Sequence, residues 1–381
     1  MTTALIYDPI FLEHLTPGDH PDQPERLRRV LEVLEGLGWM EREGLVHQAP
    51  RAASIEELGL IHTPAYIQRV QHAAERAGRL EEESGRTSRF FATDTYVSAK
   101  SYEAALYAAG APLTAIDALL KGTVNNAYCL VRPPGHHALA DNAMGFCLFN
   151  NVAIAARYAI EKHGLERVMI IDYDVHHGNG TQDAFYDDPR VLYFSTHQAP
   201  FYPGTGASTE RGSESALGTT VNVPLPAGTD FGPYEAVFRQ VMAPLADRFD
   251  PQLILVSAGF DAHWSDPLGG MHLSTAAFAK FNEIILNLAN EFCAGRVVMV
   301  QEGGYNIEAM AACATTSINQ LLGDDAAVDS LGPAPDVEYS INLDVLIGEL
   351  RRIHGLKGYR MRNAPKPDIE RLRREVKGPD A

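Results

Sequence analysis

Cysteine is scarce in this chain, and the few that occur are scattered. Cys129, Cys147, Cys293 and Cys313 form no CxxC pair in 381 residues, which argues against a disulfide framework and against a cysteine-built zinc site. Buried free thiols are the expectation instead. Positive charge is also short: the formal net charge is -17. A nucleic-acid binder would show a basic patch or stripe, so that class is not expected. An acidic surface favours the approach of cationic substrates, although acidity can equally serve solubility alone. No apolar stretch reaches the length of a membrane span. The opening MTTALIYDP has no basic segment followed by a long apolar run, so no secretory signal is expected. The working compartment therefore reads as reducing and aqueous, most simply the cytoplasm. Internal repeats, low-complexity tracts and Pro/Ser-rich linkers are missing as well.

A hydrophobic fraction of 45% is enough for a substantial core. Short apolar, β-branched runs recur: ALIY from Ala4, YCLV from Tyr128, VMIID from Val168, VLYFS from Val191, LILVS from Leu253 and VVMVQ from Val297. Nearly continuous apolar runs of this length suit strands buried on both faces of a parallel sheet. Helical patterns lie between them, over residues 99–121, 149–163, 234–249 and 275–294. The alternation predicts one α/β domain with a mostly parallel multi-stranded sheet and helices on both faces. Residues 196–220 are rich in Gly, Ser, Pro and Thr and read as a long surface loop, a kind that is usually functional. The charged, proline-containing stretch 357–381 is expected to pack peripherally or fray.

In a parallel sheet, ligands collect at the carboxyl ends of the strands. Reading only those positions yields Arg132-Pro-Pro-Gly-His136-His137, then Tyr173-Asp174-Val175-His176-His177-Gly-Asn179, then Ala258-Gly-Phe-Asp261, and finally Glu302-Gly-Gly-Tyr305. Asp174 and His176 are separated by one residue, so in extended chain both side chains point to one side. With Asp261 from another strand they make three N/O ligands and an open position, the pattern of a catalytic metal site. One imidazole and two carboxylates suit Zn²⁺, and could also hold Fe²⁺ or Co²⁺. A lone Asp-x-His would be read as a solvated loop; the other strand-end residues argue against that here.

His136 and His137 form the natural acid/base pair, since a metal-bound water needs a base and a leaving amine needs an acid. Their Pro-Pro-Gly turn restricts the backbone before them and permits a tight bend. A structural role, or service as a fourth ligand, stays open. Asp172 and Asn179 flank the metal strand and could orient them. Tyr305 follows two glycines, where its phenol could donate to an oxyanion, or simply pack.

Taken together, RPPGHHA, IDYDVHHGNGTQ, FYPGTG, SAGFDAHWSDPLGG and EGGYN resemble the histone deacetylase family, most closely its class II branch and the bacterial deacetylase-like amidohydrolases. The likeness runs from HPDQPER near His20 to about Leu322. It implies the arginase/deacetylase fold over residues 1–381, with a core to about 322 and a peripheral segment over 323–381. It also implies Zn²⁺ on Asp174, His176 and Asp261, Asp172 behind His136, Asn179 behind His137, and Tyr305 as the transition-state tyrosine. Where class I relatives have Asp, this chain has Asn179, which weakens any reading of the second histidine as held protonated by a charged partner. The resemblance further suggests Gly145, Phe146 and Tyr202 as tunnel walls, Asp94 as a rim carboxylate and Arg26 as lining an acetate exit channel. A structural K⁺ would use backbone oxygens of Asp172, Asp174 and His176 with Ser195.

The expected reaction is hydrolysis of an N-acetyl amide to acetate and a free amine, on a small-molecule or peptide substrate, with neither nucleic acid nor membrane as partner. Acetyl-lysine is expected over acetylpolyamines, because Leu268 stands where polyamine-specialised relatives can carry a glutamate at the tunnel mouth. An acetylpolyamine hydrolase and a non-catalytic acetyl-lysine reader remain rivals. Arginase-like dinuclear hydrolysis would need further ligands that this pattern does not offer. Oligomeric state is not set by the sequence.

Overall fold

The structure is a computed structural model that describes residues 1–336 and 341–359. Among the described residues ten strands form, in chain order: β1 (Thr3–Ile6), β2 (Leu45–Gln48), β3 (Ser88–Ala92), β4 (Thr95–Ser98), β5 (Asn126–Cys129), β6 (Val168–Asp172), β7 (Val191–Gln198), β8 (Thr220–Leu225), β9 (Leu253–Ala258) and β10 (Val297–Gln301). Eight make one sheet in the order β2-β1-β5-β10-β9-β6-β7-β8, and every pairing in it is parallel. The pair β3 and β4 is a separate antiparallel ribbon. Strands β5, β6, β9 and β10 are buried at every residue, which is why they are apolar without alternation.

All six expected strands are present, with YCLV shifted so that β5 ends at Cys129. Two sheet strands carry little apolar signal. In β2 (LVHQ) only Leu45 is buried, and β8 contains Pro224. Both lie at the sheet's edges, where a proline need not cost a ladder hydrogen bond. The stretch expected as a loop over 196–220 is corrected at both ends: β7 continues to Gln198 and β8 begins at Thr220.

Helices flank the sheet. Ser101–Leu120 packs against β1, β5 and β10, and Asn151–His163 against β6 and β9. Glu25–Gly36 and Thr275–Phe292 both pack on Ile307–Leu321, which also touches β1 and β5. The expected helix over 234–249 begins earlier, at Phe231, and runs through a π-helical turn over Phe238–Met242 before Ala243–Phe249. Local chemistry marks many boundaries. At Pro64–Ser84, for example, the Thr63 side chain accepts from the Tyr66 N–H, proline opens the first turn and Gly85 closes the helix at φ 70°. No described helix is long and apolar enough to cross a membrane. The expectation for residues 357–381 falls almost wholly outside the described residues.

Candidate active site

Four central strands, β5-β10-β9-β6, are neighbours in the sheet. Their carboxyl ends are the four places from which the sequence offered His136 and His137, Tyr305, Asp261, and Asp174 with His176. Adjacency in the sheet therefore brings those residues to one locus.

Asp174, His176 and Asp261 each offer a ligand atom, and these atoms lie within 4.8 Å of one another. His176 Nδ1 stands 3.1 Å from both Asp174 Oδ1 and Asp261 Oδ2. Backbone N–H groups hold the outer oxygens: Gly303 donates to Asp174 Oδ2 at 2.9 Å and Val175 to Asp261 Oδ1 at 2.8 Å. Gly259 and Gly303 leave the space these carboxylates occupy. A Cβ at Gly259 would lie 1.9 Å from Asp174 Oδ2, and one at Gly303 would lie 2.2 Å from Asp261 Oδ2.

The donor set fits a divalent cation. Both aspartates are fully buried. Burial, followed by the charge of Asp174, pushes Asp261 up to about 7. Asp174 is held low against its burial by His136 and His176. His176 is raised to about 10: burial opposes its charge, but Asp261 and Asp174 outweigh that. Such a locus binds positive charge strongly, and two carboxylates with one imidazole nitrogen suit zinc.

The two histidines beside the cluster differ. His136 Nδ1 lies 3.1 Å from Asp172 Oδ2, and its Nε2 is 3.8 Å from Asp174 Oδ2. Burial disfavours its charge, yet Asp174 and Asp172 hold its pKa well above the ordinary value. His137 Nδ1 is 2.7 Å from Asn179 Oδ1. Burial, His136 and His176 hold His137 well below the ordinary value. The rings sit 4.1 Å apart, so a charge on one disfavours a charge on the other. An amide partner at Asn179 cannot offset the charge of a second imidazolium.

Next to the cluster is a pocket of about 470 Å³, lined by His137, His176, Tyr305, Phe146, Tyr202 and Leu268, with Asp94, Gly145, Gln198, Phe201, Pro267, Gly269 and Gly270. Phe146 meets Tyr305 edge-on at 5.6 Å, and Tyr202 meets His137 edge-on at 5.2 Å. Phe146 has φ 67°, a left-handed backbone rare for a bulky residue. It follows Gly145, where a Cβ would collide with the His137 ring at 2.1 Å. Asp94 fixes this turn, accepting from the Gly145 N–H at 2.8 Å. Burial holds the Tyr305 phenol well above its ordinary value, leaving it a protonated donor.

Several supporting residues were passed over in the sequence. Glu302 Oε2 accepts from Gly135 N at 2.7 Å and His136 N at 3.2 Å, pinning the histidine turn. Asp22 binds both Arg26 and Arg132, at 2.7 and 2.8 Å. Arg26 does not stand free: its guanidinium donates to the carbonyls of Gly304 and Glu302, both at 2.6 Å, and lies 4.8 Å from the Tyr305 ring centre. Asp266 accepts from the backbone N–H of Tyr305 and Asn306. His177 turns away from the cluster to Thr205 and Gln182, tying down the connection that carries Tyr202. Ser195 pairs in register with Asp172 and lies 2.9 Å from His197 Nδ1.

The histone deacetylase domain family matches residues 20–321. Histone deacetylase 10, chloroplastic, of Oryza sativa is 40% identical over 314 residues, which is 80% of this chain and 70% of that protein. The human polyamine deacetylase HDAC10 is 42% identical over 337 residues, 86% of this chain but only 49% of the relative. The crystal structure of the HDA15 HD domain superposes with a TM-score of 0.81 at 34% identity, covering 93% of this chain and 94% of that one. With the family model matching residues 20–321 and the fold shared, this chain belongs to the histone deacetylase family and is a deacetylase.

Proposed function

We propose that the protein hydrolyses the N-acetyl amide of acetyl-lysine side chains, with one zinc ion held by Asp174, His176 and Asp261. The observation that carries this reading is the triad of ligand atoms within 4.8 Å, bordered by the histidine pair and by a pocket that Tyr305 helps to line. When bound, zinc would supply Lewis acidity and a water of lowered pKa. The chain's own residues do the rest. His137, held neutral and oriented by Asn179, is suited to accept a proton, and His136, held charged by Asp172, to keep the neighbouring charge balanced. Tyr305 donates its hydroxyl proton in a hydrogen bond to the developing oxyanion. Gly145, Phe146 and Tyr202 wall the acyl-lysine chain, and Asp94 stands at the rim. Arg26, gripping the carbonyls around Gly303, fits a place beside the path by which acetate leaves. The register of Asp172 with Ser195 supports a structural K⁺ on the far side of β6, with backbone oxygens of Asp174 and His176.

Leu268 gives the pocket an apolar rim and supports a peptide-borne acetyl-lysine over an acetylpolyamine. The second reading, acetylpolyamine hydrolysis, has the name of the human relative and the acidic surface in its favour. We read residues 1–381 as one deacetylase domain with its core to about 322. Four buried free thiols support a reducing compartment, most simply the cytoplasm. The deciding experiment measures acetate release by the zinc-loaded protein from an acetyl-lysine peptide and from acetylspermidine. Release from the peptide at the higher kcat/KM is expected; no release from either substrate would overturn the reading.

A further inference from the structure

A second cavity, of about 370 Å³, lies away from the active site. Leu192 is the second residue of β7, and Gly218 and Thr219 lead into β8, so this cavity sits by the amino ends of those strands. The active-site pocket is at the carboxyl ends. Arg211 reaches the cavity from the connection between β7 and β8, Arg248 from the helix Ala243–Phe249, and His354 from the end of the helix Leu343–Ile353. Leu217, Phe249 and Ile353 add apolar wall.

Its charge is uneven. Arg211 Nη1 donates to the Ile353 carbonyl at 3.0 Å and Arg248 Nη1 to the His354 carbonyl at 2.7 Å. Among the described residues neither guanidinium meets a carboxylate, in a chain of net charge -17. Each guanidinium carries five N–H donors, so most remain for another acceptor. His354 is only 3% exposed, yet neither of its ring nitrogens has a hydrogen-bond partner. Buried polar atoms are normally satisfied, and an unsatisfied pair beside two cations calls for an explanation. Burial, then Arg248 and Arg211, lower the His354 pKa to about 4, so its ring is neutral and offers one N–H.

We infer that this cavity binds an oxyanion carried on an apolar body, with Arg211 and Arg248 gripping the charged head and His354 adding a third donor. Acyl carboxylates and alkyl phosphates share that chemistry, and the planar guanidinium fork fits either head bidentately. The ligand would bridge the connection that carries Tyr202 to the helix Leu343–Ile353.

Calorimetric titration of the full-length protein with octanoate, octyl phosphate and octanol tests this. Saturable binding of at least one anion, with octanol binding far more weakly, is expected, together with a rise in Tm as the bound anion stabilises the fold. The stronger of the two anions identifies the head group. Arg248→Gln should weaken binding by roughly ten- to hundred-fold, the worth of a charge-assisted hydrogen bond. His354→Leu guards against a folding artefact. The imidazole has no side-chain hydrogen bond to lose, so this variant should keep its Tm and probe-free turnover while weakening binding by about ten-fold. Absence of saturable anion binding, octanol binding as tightly as the anions, or unchanged affinity in both variants would overturn the inference.

Discussion

Asp266→Asn tests whether one buried carboxylate sets the position of the tyrosine. Asp266 is 6% exposed, and its Oδ1 accepts from Leu268 N at 2.9 Å while Oδ2 accepts from Tyr305 N at 2.6 Å and Asn306 N at 2.9 Å. Asparagine keeps a single acceptor oxygen. If that oxygen faces Tyr305 and Asn306, the new NH₂ meets the Leu268 N–H and leaves a buried donor unsatisfied. That donor costs about 1–3 kcal/mol, and turning two charge-assisted bonds into neutral ones costs about 1 kcal/mol each, so unfolding stability should fall by about 3–5 kcal/mol. The catalytic effect has a ceiling, because a displaced hydroxyl can lose no more than a deleted one. Tyr305→Phe should lower kcat by roughly a hundred-fold; Asp266→Asn should lower it by about ten-fold, with bound zinc unchanged. The assay is a double-mutant cycle of kcat on an acetyl-lysine peptide, with denaturant unfolding and metal analysis on each variant. Asp266→Asn should add almost nothing in the Tyr305→Phe background. An equal loss of kcat in both backgrounds would show that Asp266 does not act through the phenol.

Asp261→Asn and His176→Ala each remove one of three ligands and should abolish both zinc content and turnover; full occupancy by metal analysis with normal rates would refute the ligand set. Leu268→Glu should move the ratio of kcat/KM for the acetyl-lysine peptide over acetylspermidine towards the polyamine by roughly ten- to hundred-fold, from an ion pair gained by the substrate's ammonium; an unmoved ratio removes Leu268 from the rim. Stability should also vary with acid. Burial lowers His62 from 6.5 to about 4, with its ring between the Leu139 carbonyl and the Asn150 N–H. The neutral ring belongs to the folded state, so its contribution is complete above pH 6.5 and is lost as pH falls through 4, about 3 kcal/mol in all. Denaturant unfolding across that window, on the natural protein and on His62→Gln, should show a shallower loss in the variant.

Central strands were legible because double burial leaves them no choice but continuous apolar sequence, and their carboxyl ends could be read off directly. The triad and Tyr305 lie two to four residues past those ends and the histidine pair seven and eight past the end of β5, so the segments following the strands were where to look. Edge strands were not legible: β2 shows one buried residue and β8 carries a proline and an asparagine. The helix Glu25–Gly36 buries Arg26 with Leu27, Val30 and Leu34, and a charged residue on the inward face masks the stripe that periodicity seeks. Asp266 and Glu302 act through hydrogen bonds to backbone N–H groups, which any carboxylate could make and no spacing announces. Arg26 is a related case. Resemblance supplied it as a channel residue, and the bonds of its guanidinium to Asp22 and two carbonyls are contacts that no spacing announces.

The adjacency of β5 and β10 has a consequence for how the protein acquires its site. The first of the four site-bearing strands in the chain hydrogen-bonds to the last, with β9 and β6 beyond it. Emerging from the ribosome, the chain makes Asp174 and His176 long before Asp261, and the Gly303 N–H that fixes Asp174 comes later still. No contiguous stretch short of about residue 303 can assemble both carboxylates with their backbone donors. Metal capture at the proposed site would therefore be tied to closure of the sheet's centre, and a nascent or truncated chain would present at most an open Asp-x-His pair with weak hold on a cation.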